Sequence, residues 1–278
     1  MLRLLTEKDK KLILDYHARN EIETSFFYSN VIEFGVDNNK DMRRCADYFG
    51  WFEDGSLRGV LPFYNLGSCI PHYESDEAIP HFAALMKEKS FAYLLGMDRV
   101  IKPLFRLFEG EREVVEYNDS SFYMNRAFKP YISSELEFID PCEAVKDEKV
   151  VDFIIHARLD GFHENVDQEE VVKMLNQVGP GEDKLVAVSA GRPVAYAVIQ
   201  TNTATTSQIG AVFTLEEERG KGYCKAVVSE LCRRIVSRDK IPTLFVRKNN
   251  TPAVKAYNAL GFEHVDDYSL IRFKQAEA

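Results

Sequence analysis

The chain has 278 residues, 45% of them hydrophobic and 28% charged, enough for two compact domains with substantial cores. Its formal net charge of -9 argues against nucleic acid as a partner, because phosphate-backbone binding needs a concentrated basic surface. The start of the chain has no long apolar region, no uninterrupted apolar run approaches membrane-spanning length, and the 5 cysteines form neither a C-x-x-C pair nor a zinc-like spacing with histidine, so the expectation is a cytoplasmic protein with reduced thiols, no metal and no membrane contact.

In chain order, Thr6 to His17 reads as a capped helix, and Tyr48 to Tyr64 as two strands around the turn Asp54-Gly55. Pro80 to Lys89 and Asp98 to Phe108 have helical patterns, with Gly96 and Gly110 isolated nearby. Lys129-Pro130 followed by the apolar run Tyr131 to Phe138, an expected strand, marks a boundary, so the domains are taken as 1–129 and 130–278. In the second half, Lys184 to Gln200 again shows two strands around a turn, Ala190-Gly191. Gly55-Ser56-Leu57-Arg58-Gly59-Val60 parallels Gly191-Arg192-Pro193-Val194-Ala195-Tyr196 in its placing of glycine and apolar residues. A diverged internal duplication explains that parallel; an unrelated α+β cap with a similar hairpin is the competing reading.

The segment Arg219-Gly220-Lys221-Gly222-Tyr223-Cys224 sits between the apolar run Gln208 to Thr214 and the amphipathic run Cys224 to Val236. It reads as a strand, a loop of backbone amides, then a helix. Unpaired N–H groups and the positive end of the dipole at a helix start suit a pyrophosphate, and glycine lets phosphate oxygens approach the main chain. A Walker loop would require Gly-Lys-Ser/Thr, and a dinucleotide fingerprint would need glycine where Lys225 stands, so neither fits. Lys221, Lys225, Arg233, Arg234, Arg247 and Lys248 lie near enough in sequence to offer positive charge to a phosphorylated nucleotide.

The spacing that does fit is Arg/Gln-x-x-Gly-x-Gly/Ala, and in this loop and its lead-in from Gly210 to Glu218 the chain resembles the GNAT N-acetyltransferases. Cys224 departs from the pattern by replacing the usual final Gly or Ala. A second block, Asn250-Thr251-Pro252-Ala253-Val254-Lys255-Ala256-Tyr257-Asn258-Ala259-Leu260-Gly261-Phe262, resembles the same superfamily in order and spacing. Physically, Leu244 to Val246 reads as a strand, Asn250 or Thr251 as a helix cap, Pro252 as a first-turn residue and Gly261 as a left-handed end. The resemblance covers about residues 131 to 273 and implies an α+β fold, with a mixed, mostly antiparallel sheet flanked by helices. By the same resemblance the N-terminal half is a truncated copy without a cofactor loop, as in tandem members of the superfamily.

What the resemblance implies chemically is acetyl transfer from acetyl-CoA to the amine of a small molecule or peptide. A non-catalytic acyl-CoA sensor or interaction module is the alternative. Val212, Phe213 and Thr214 are then expected to offer main-chain bonds to the pantetheine arm, Arg219, Gly220, Lys221, Gly222, Tyr223 and Cys224 to bind the pyrophosphate, and Asn250 to contact the cofactor near its arm. Tyr257, seven residues after Asn250 on one helix face, matches the family's tyrosine that protonates the departing sulfur. The run Thr205 to Thr214 carries no carboxylate where many relatives place a Glu to draw off the amine proton. His163, Glu164, His264, Asp266 and Asp267 are alternatives for that base, none of them singled out.

Overall fold

The two dipeptides expected to turn hairpins do so with the same backbone. Asp54 and Gly55 have φ of 47° and 78°, and Ala190 and Gly191 have φ of 48° and 75°. Two successive residues at positive φ give the I′-type turn, whose twist matches that of the strands it joins. In the computed structural model, which describes residues 1–161, 164–176 and 183–274, each hairpin belongs to its own compact unit.

The first unit runs β1 (Leu2–Leu4), α1 (Lys10–Arg19), α2 (Ser25–Phe34), β2 (Ala46–Glu53), β3 (Ser56–Tyr64), β4 (Ser68–Cys69), β5 (His72–Tyr73), α3 (Ala78–Glu88), β6 (Tyr93–Met97), α4 (Asp98–Arg106) and β7 (Val114–Met124). The second runs β8 (Glu137–Ile139), α5 (Glu148–His156), α6 (Gln168–Asn176), β9 (Lys184–Ser189), β10 (Arg192–Asn202), β11 (Thr206–Thr214), α7 (Tyr223–Val236), β12 (Ile241–Arg247) and α8 (Thr251–Ala259), and the chain closes with β13 (Glu263–Phe273). The order is the same in both halves: a strand, two helices, a hairpin, a third strand, a helix, a strand, a helix and a last strand. In the first unit the third strand is broken into β4 and β5 around Ile70-Pro71, where proline removes a ladder donor. Even so, β4 pairs parallel to β6 as β11 pairs parallel to β12.

The division between the units differs from the one expected. The second unit is Tyr123–His264, so it begins before Lys129-Pro130, and the residues from Val265 belong to the first unit. There β13 lies antiparallel to β6, in register from Tyr268 opposite Met97 to Arg272 opposite Tyr93, and Ile271 and Phe273 join the core of Phe82, Phe91 and Phe108. The strand expected over Tyr131 to Phe138 is also shorter. Only Glu137–Ile139 pairs, with β9, because the main chain of Tyr131 is engaged elsewhere, donating its N–H to Ser229 Oγ of α7 at 2.8 Å.

The second unit buries both faces of its sheet. Along β9 and β10, Leu185, Ala187, Ala197 and Ile199 point to the α7 side, while Val186, Tyr196 and Val198 point to the side of α5 and α6. That is the period of two a pleated strand imposes. On α7, Val227, Val228, Leu231, Cys232 and Ile235 supply the opposing stripe at helical spacing.

Candidate acyl-transfer site

A β-bulge in β11 sets the geometry of the site. Its register against β10 passes from Phe213 opposite Tyr196 to Gly210 opposite Val198, leaving one residue of β10 facing two of β11, and Ala211 takes a φ of 48°. The extra residue reverses the alternation: Ile209 and Val212 face the α7 core, whereas Phe213 and Leu215 face the α5 core. On its other edge β11 pairs with β12 only at Thr206–Ile241, Ser207–Pro242 and Gln208–Thr243. Both strands continue past that point, so the main chain from Ile209 to Thr214 borders a wedge outside this parallel register. The buried Gln208 Nε2 and Thr214 Oγ1, at the two ends of that edge, have no hydrogen-bond partner among the described residues.

Beyond Thr214, a 3₁₀ turn at Glu216–Glu218 leads into the glycine loop. Gly220 and Gly222 adopt φ of 84° and 86°, a left-handed backbone that glycine enters without a steric penalty. Gly222 is the cap residue of α7, no side chain caps the helix, and its carbonyl accepts the first helical bond from Ala226 N–H at 3.0 Å. The opening amides of α7 are therefore presented by glycine, as the sequence spacing implied. The basic side chains of the loop are not idle. Lys221 pairs with Glu218 at 2.7 Å, and Arg219 with Glu216 at 3.7 Å, while its Nε donates to the Thr214 carbonyl at 3.4 Å. Farther along α7, Arg233 and Arg234 both bind Glu230.

The block from Asn250 to Phe262 folds as expected, with Pro252 in the first turn of α8 and Gly261 just past its end at a φ of 95°. Asn250 caps α8, its Oδ1 accepting from Ala253 N–H at 3.3 Å, which leaves the amide NH₂ as a donor. Tyr257 is buried in the α7 core with its ring 5.9 Å from that of Phe262, and its hydroxyl meets the thiol of Cys224. Burial pushes the phenol well above its usual range, so it remains a protonated donor, and burial pushes the Cys224 thiol up to about 11. Tyr257 and the last loop residue are thus brought together.

The candidates for a base are not. His163 lies outside the described residues. Glu164 is ion-paired to Arg158, and His264 stands edge-on to Tyr123. Asp266 and Asp267 are on β13, in the stretch assigned to the first unit.

No motif in the sequence marks His156, the last residue of α5. Its ring lies 5.9 Å from Phe213 at 79°, and its Nε2 is 3.3 Å from Asp160 Oδ2. Two open clefts meet at it. One, of about 510 Å³, is lined by Lys149, Asp152, Arg192 and Glu217 among others, and the second, of about 420 Å³, by Leu159, Asp160, Phe213, Glu216 and Arg219. Gly161, shortly after His156, is packed against the same strand: a Cβ there would lie 2.7 Å from the Phe213 ring.

Residues 191–271 match the family model described as FR47-like protein. No curated relative matches the sequence. Among solved structures, a Drosophila protein superposes with a TM-score of 0.71 over 98% of both chains at 11% identity. A GCN5-related N-acetyltransferase from Sphaerobacter thermophilus gives 0.63 over 98% of this chain and 94% of that one, at 16% identity. A tandem GNAT protein from the clavulanic acid biosynthesis pathway gives 0.59 over 100% of this chain and 99% of that one, at 11% identity. These likenesses show that the chain has the fold of the GNAT N-acetyltransferases, with the FR47-like match lying mostly across its second unit.

Proposed function

We propose that the second unit transfers the acetyl group of acetyl-CoA to a primary amine of a small molecule or peptide. The observation that carries this reading is the continuity of one feature: a bulged strand that parts from its parallel neighbour at Gln208–Thr243 and leads within a few residues to a glycine-capped helix start. An extended pantetheine arm would lie along Val212, Phe213 and Thr214 as a guest strand, bonding main chain outside the β11–β12 register. Its pyrophosphate would meet the amides at 219–224, where Lys221 and Arg219 would exchange Glu218 and Glu216 for phosphate oxygens. Asn250 would use its free NH₂ toward the arm.

The acceptor arrives as an ammonium of pKa ~10.4 and must lose a proton before it attacks the thioester carbon. Carbon–nitrogen bond formation then drives charge onto the carbonyl oxygen, which a main-chain N–H of the bulged strand would bind. Collapse breaks the carbon–sulfur bond, and the sulfur takes a proton, for which the Tyr257 hydroxyl is the donor at hand. Titration calorimetry with acetyl-CoA, followed by CoA release across a panel of amines with enzyme-free and amine-free controls, tests the reading. Saturable binding and amine-dependent release are expected; binding without release by any amine would make the protein an acyl-CoA sensor.

A further inference from the structure

We propose that His156 is the base that takes the proton from the acceptor amine, with Asp160 positioning it. This rests on the acetyltransferase reading above and supplies the group that β11 lacks, since Thr206–Thr214 contains no carboxylate. Three independent features place the imidazole. First, it lines both clefts on the side of the sheet toward which the bulge turns Phe213. Second, α5 does not end at His156 but runs into a π-helical turn, Ala157–Gly161. Such turns are rare, and many occur at functional sites.

That turn is pressed onto β11. Gly161 sits so near Phe213 that any side chain would collide with the ring, and Phe213 is held besides by Phe153 at 6.0 Å and by the edge of His156 at 5.9 Å. The strand residue expected to hold the acyl arm through its main chain therefore carries the imidazole on its side chain. Third, His156 has an orienting carboxylate. Asp160 Oδ2 lies 3.3 Å from Nε2, near enough to favour the tautomer with its proton on Nε2 and the lone pair on Nδ1. This is the arrangement in which a third group fixes the tautomer of a base.

The protons balance without a further reagent. The ammonium gives one proton to His156 Nδ1, which passes it to solvent. Nitrogen attacks the carbonyl carbon, the carbon–sulfur bond breaks, and the amide loses its second N–H proton while the sulfur gains one from Tyr257, which is then reprotonated. The products are an amide, a free thiol and one released proton. Charged groups face the imidazole from every side: Lys149, Asp152 and Asp160 from its own helix and turn, Arg192 from the β9–β10 hairpin, and Glu216, Glu217 and Arg219 from the strand exit. Glu217 is engaged by Arg192 at 2.5 Å and Arg219 by Glu216 at 3.7 Å, while Asp160 approaches the imidazole to 3.3 Å.

The test uses His156→Gln, His156→Ala and Asp160→Asn in the full chain, with benzylamine, putrescine, glycine, glutamate and a lysine-containing peptide as acceptors for CoA release. His156 is half-exposed, so both substitutions should fold, which thermal melting and an unchanged acetyl-CoA affinity verify. Loss of kcat/KM by about 10²-fold or more is expected in both His156 variants. Added imidazole should restore part of the rate to His156→Ala. The rate lost should grow smaller with rising pH, as more of the acceptor arrives already neutral. Asp160→Asn should lower kcat by about tenfold with KM little changed, since only the tautomer is disturbed. Wild-type kcat/KM in His156→Gln across about pH 6 to 9 would overturn the assignment and leave the transferase intact. A wild-type protein that releases no CoA with any of these amines would overturn the transferase reading and this inference with it.

Discussion

The hydroxyl of Tyr131 lies 2.7 Å from the place a Cβ on Gly222 would occupy. The same tyrosine carries Lys225 over its ring, with Nζ 3.8 Å from the centroid, and bonds Ser229 through its main chain. Gly222, Lys225 and Ser229 fall on one side of the first turns of α7, so the segment before β8 runs along the helix that the glycine loop opens. Tyr131 braces the loop from outside it.

Glutamate at either loop glycine should therefore abolish acetyl-CoA binding, but with different costs to the fold. At Gly220 a side chain meets open space, and only the left-handed backbone opposes it, at about 1–2 kcal/mol. At Gly222 it meets the same backbone penalty and must displace Tyr131 as well. Calorimetry should show affinity reduced at least about 100-fold in both variants, roughly 2.7 kcal/mol. Denaturation should show Gly222→Glu to be the less stable. Unchanged affinity in either would remove the pyrophosphate from this loop.

One acetyl-CoA should bind per chain. The helix of the first unit that corresponds to α7 is α3, and it follows Glu74-Ser75-Asp76-Glu77 rather than glycines. Carboxylates at a helix start answer the dipole themselves and repel a phosphate. The strand before α3 is broken at Ile70-Pro71, so no long guest-strand edge leads to it. A calorimetric stoichiometry of one is expected; two equivalent sites would refute the loss of the first.

How much of this was legible in the sequence depended on whether one residue or a pattern carried it. The hairpins at Asp54-Gly55 and Ala190-Gly191 were legible because a two-residue turn demands particular residue types at particular places. So was the start of α7, since glycines before a helical stripe have few other uses. The bulge at Ala211 was not, because its signature is a register offset that only the partner strand β10 defines. Nor was β13, whose alternation is satisfied equally well beside a strand of either half. His156 escaped because α5 reads as an ordinary amphipathic helix, and a π turn needs no special composition. The apolar run from Tyr131 suggested a strand, yet its first residue serves α7 through its ring and its N–H, a use that no periodicity announces.

Acid should weaken the first unit in two steps. His17 is buried, with Nδ1 2.7 Å from Thr24 Oγ1 and its ring stacked on Tyr28 at 4.0 Å, and burial lowers its pKa from 6.5 to about 4. The folded state then binds fewer protons than the unfolded one, so this stability is present above pH 6.5 and lost as pH falls toward 4. Asp9, bonded to Arg3 at 2.6 and 2.9 Å, is lowered from 3.8 to about 2 and adds a second loss below the first. Urea midpoints measured against pH should decline through both windows in the wild type. In His17→Phe the upper decline should flatten while the lower one stays; an unaltered upper slope would show that His17 is protonated without cost.

Tyr257→Phe should slow turnover far more than it weakens acetyl-CoA binding. The substitution keeps the ring against Phe262 and removes only the hydroxyl at Cys224, so packing is preserved and the stability cost is about 1 kcal/mol for the lost hydrogen bond. The phenol is held well above its usual range by burial and is therefore a proton donor at every working pH. General acid catalysis is worth ~10² to 10⁴ in rate, and a thiolate, with a thiol pKa of roughly 8.5 in the cysteine model, leaves partly unaided, so the expected loss is near 10²-fold at neutral pH. It should shrink as pH rises past that thiol pKa, where the sulfur departs as the anion. A purely structural tyrosine would give a flat profile instead, since a loosened core would lower kcat by the same factor throughout. Steady-state kinetics of both forms across pH, with chemistry shown to limit the rate, decide between them: equal kcat near neutrality would return Tyr257 to the core.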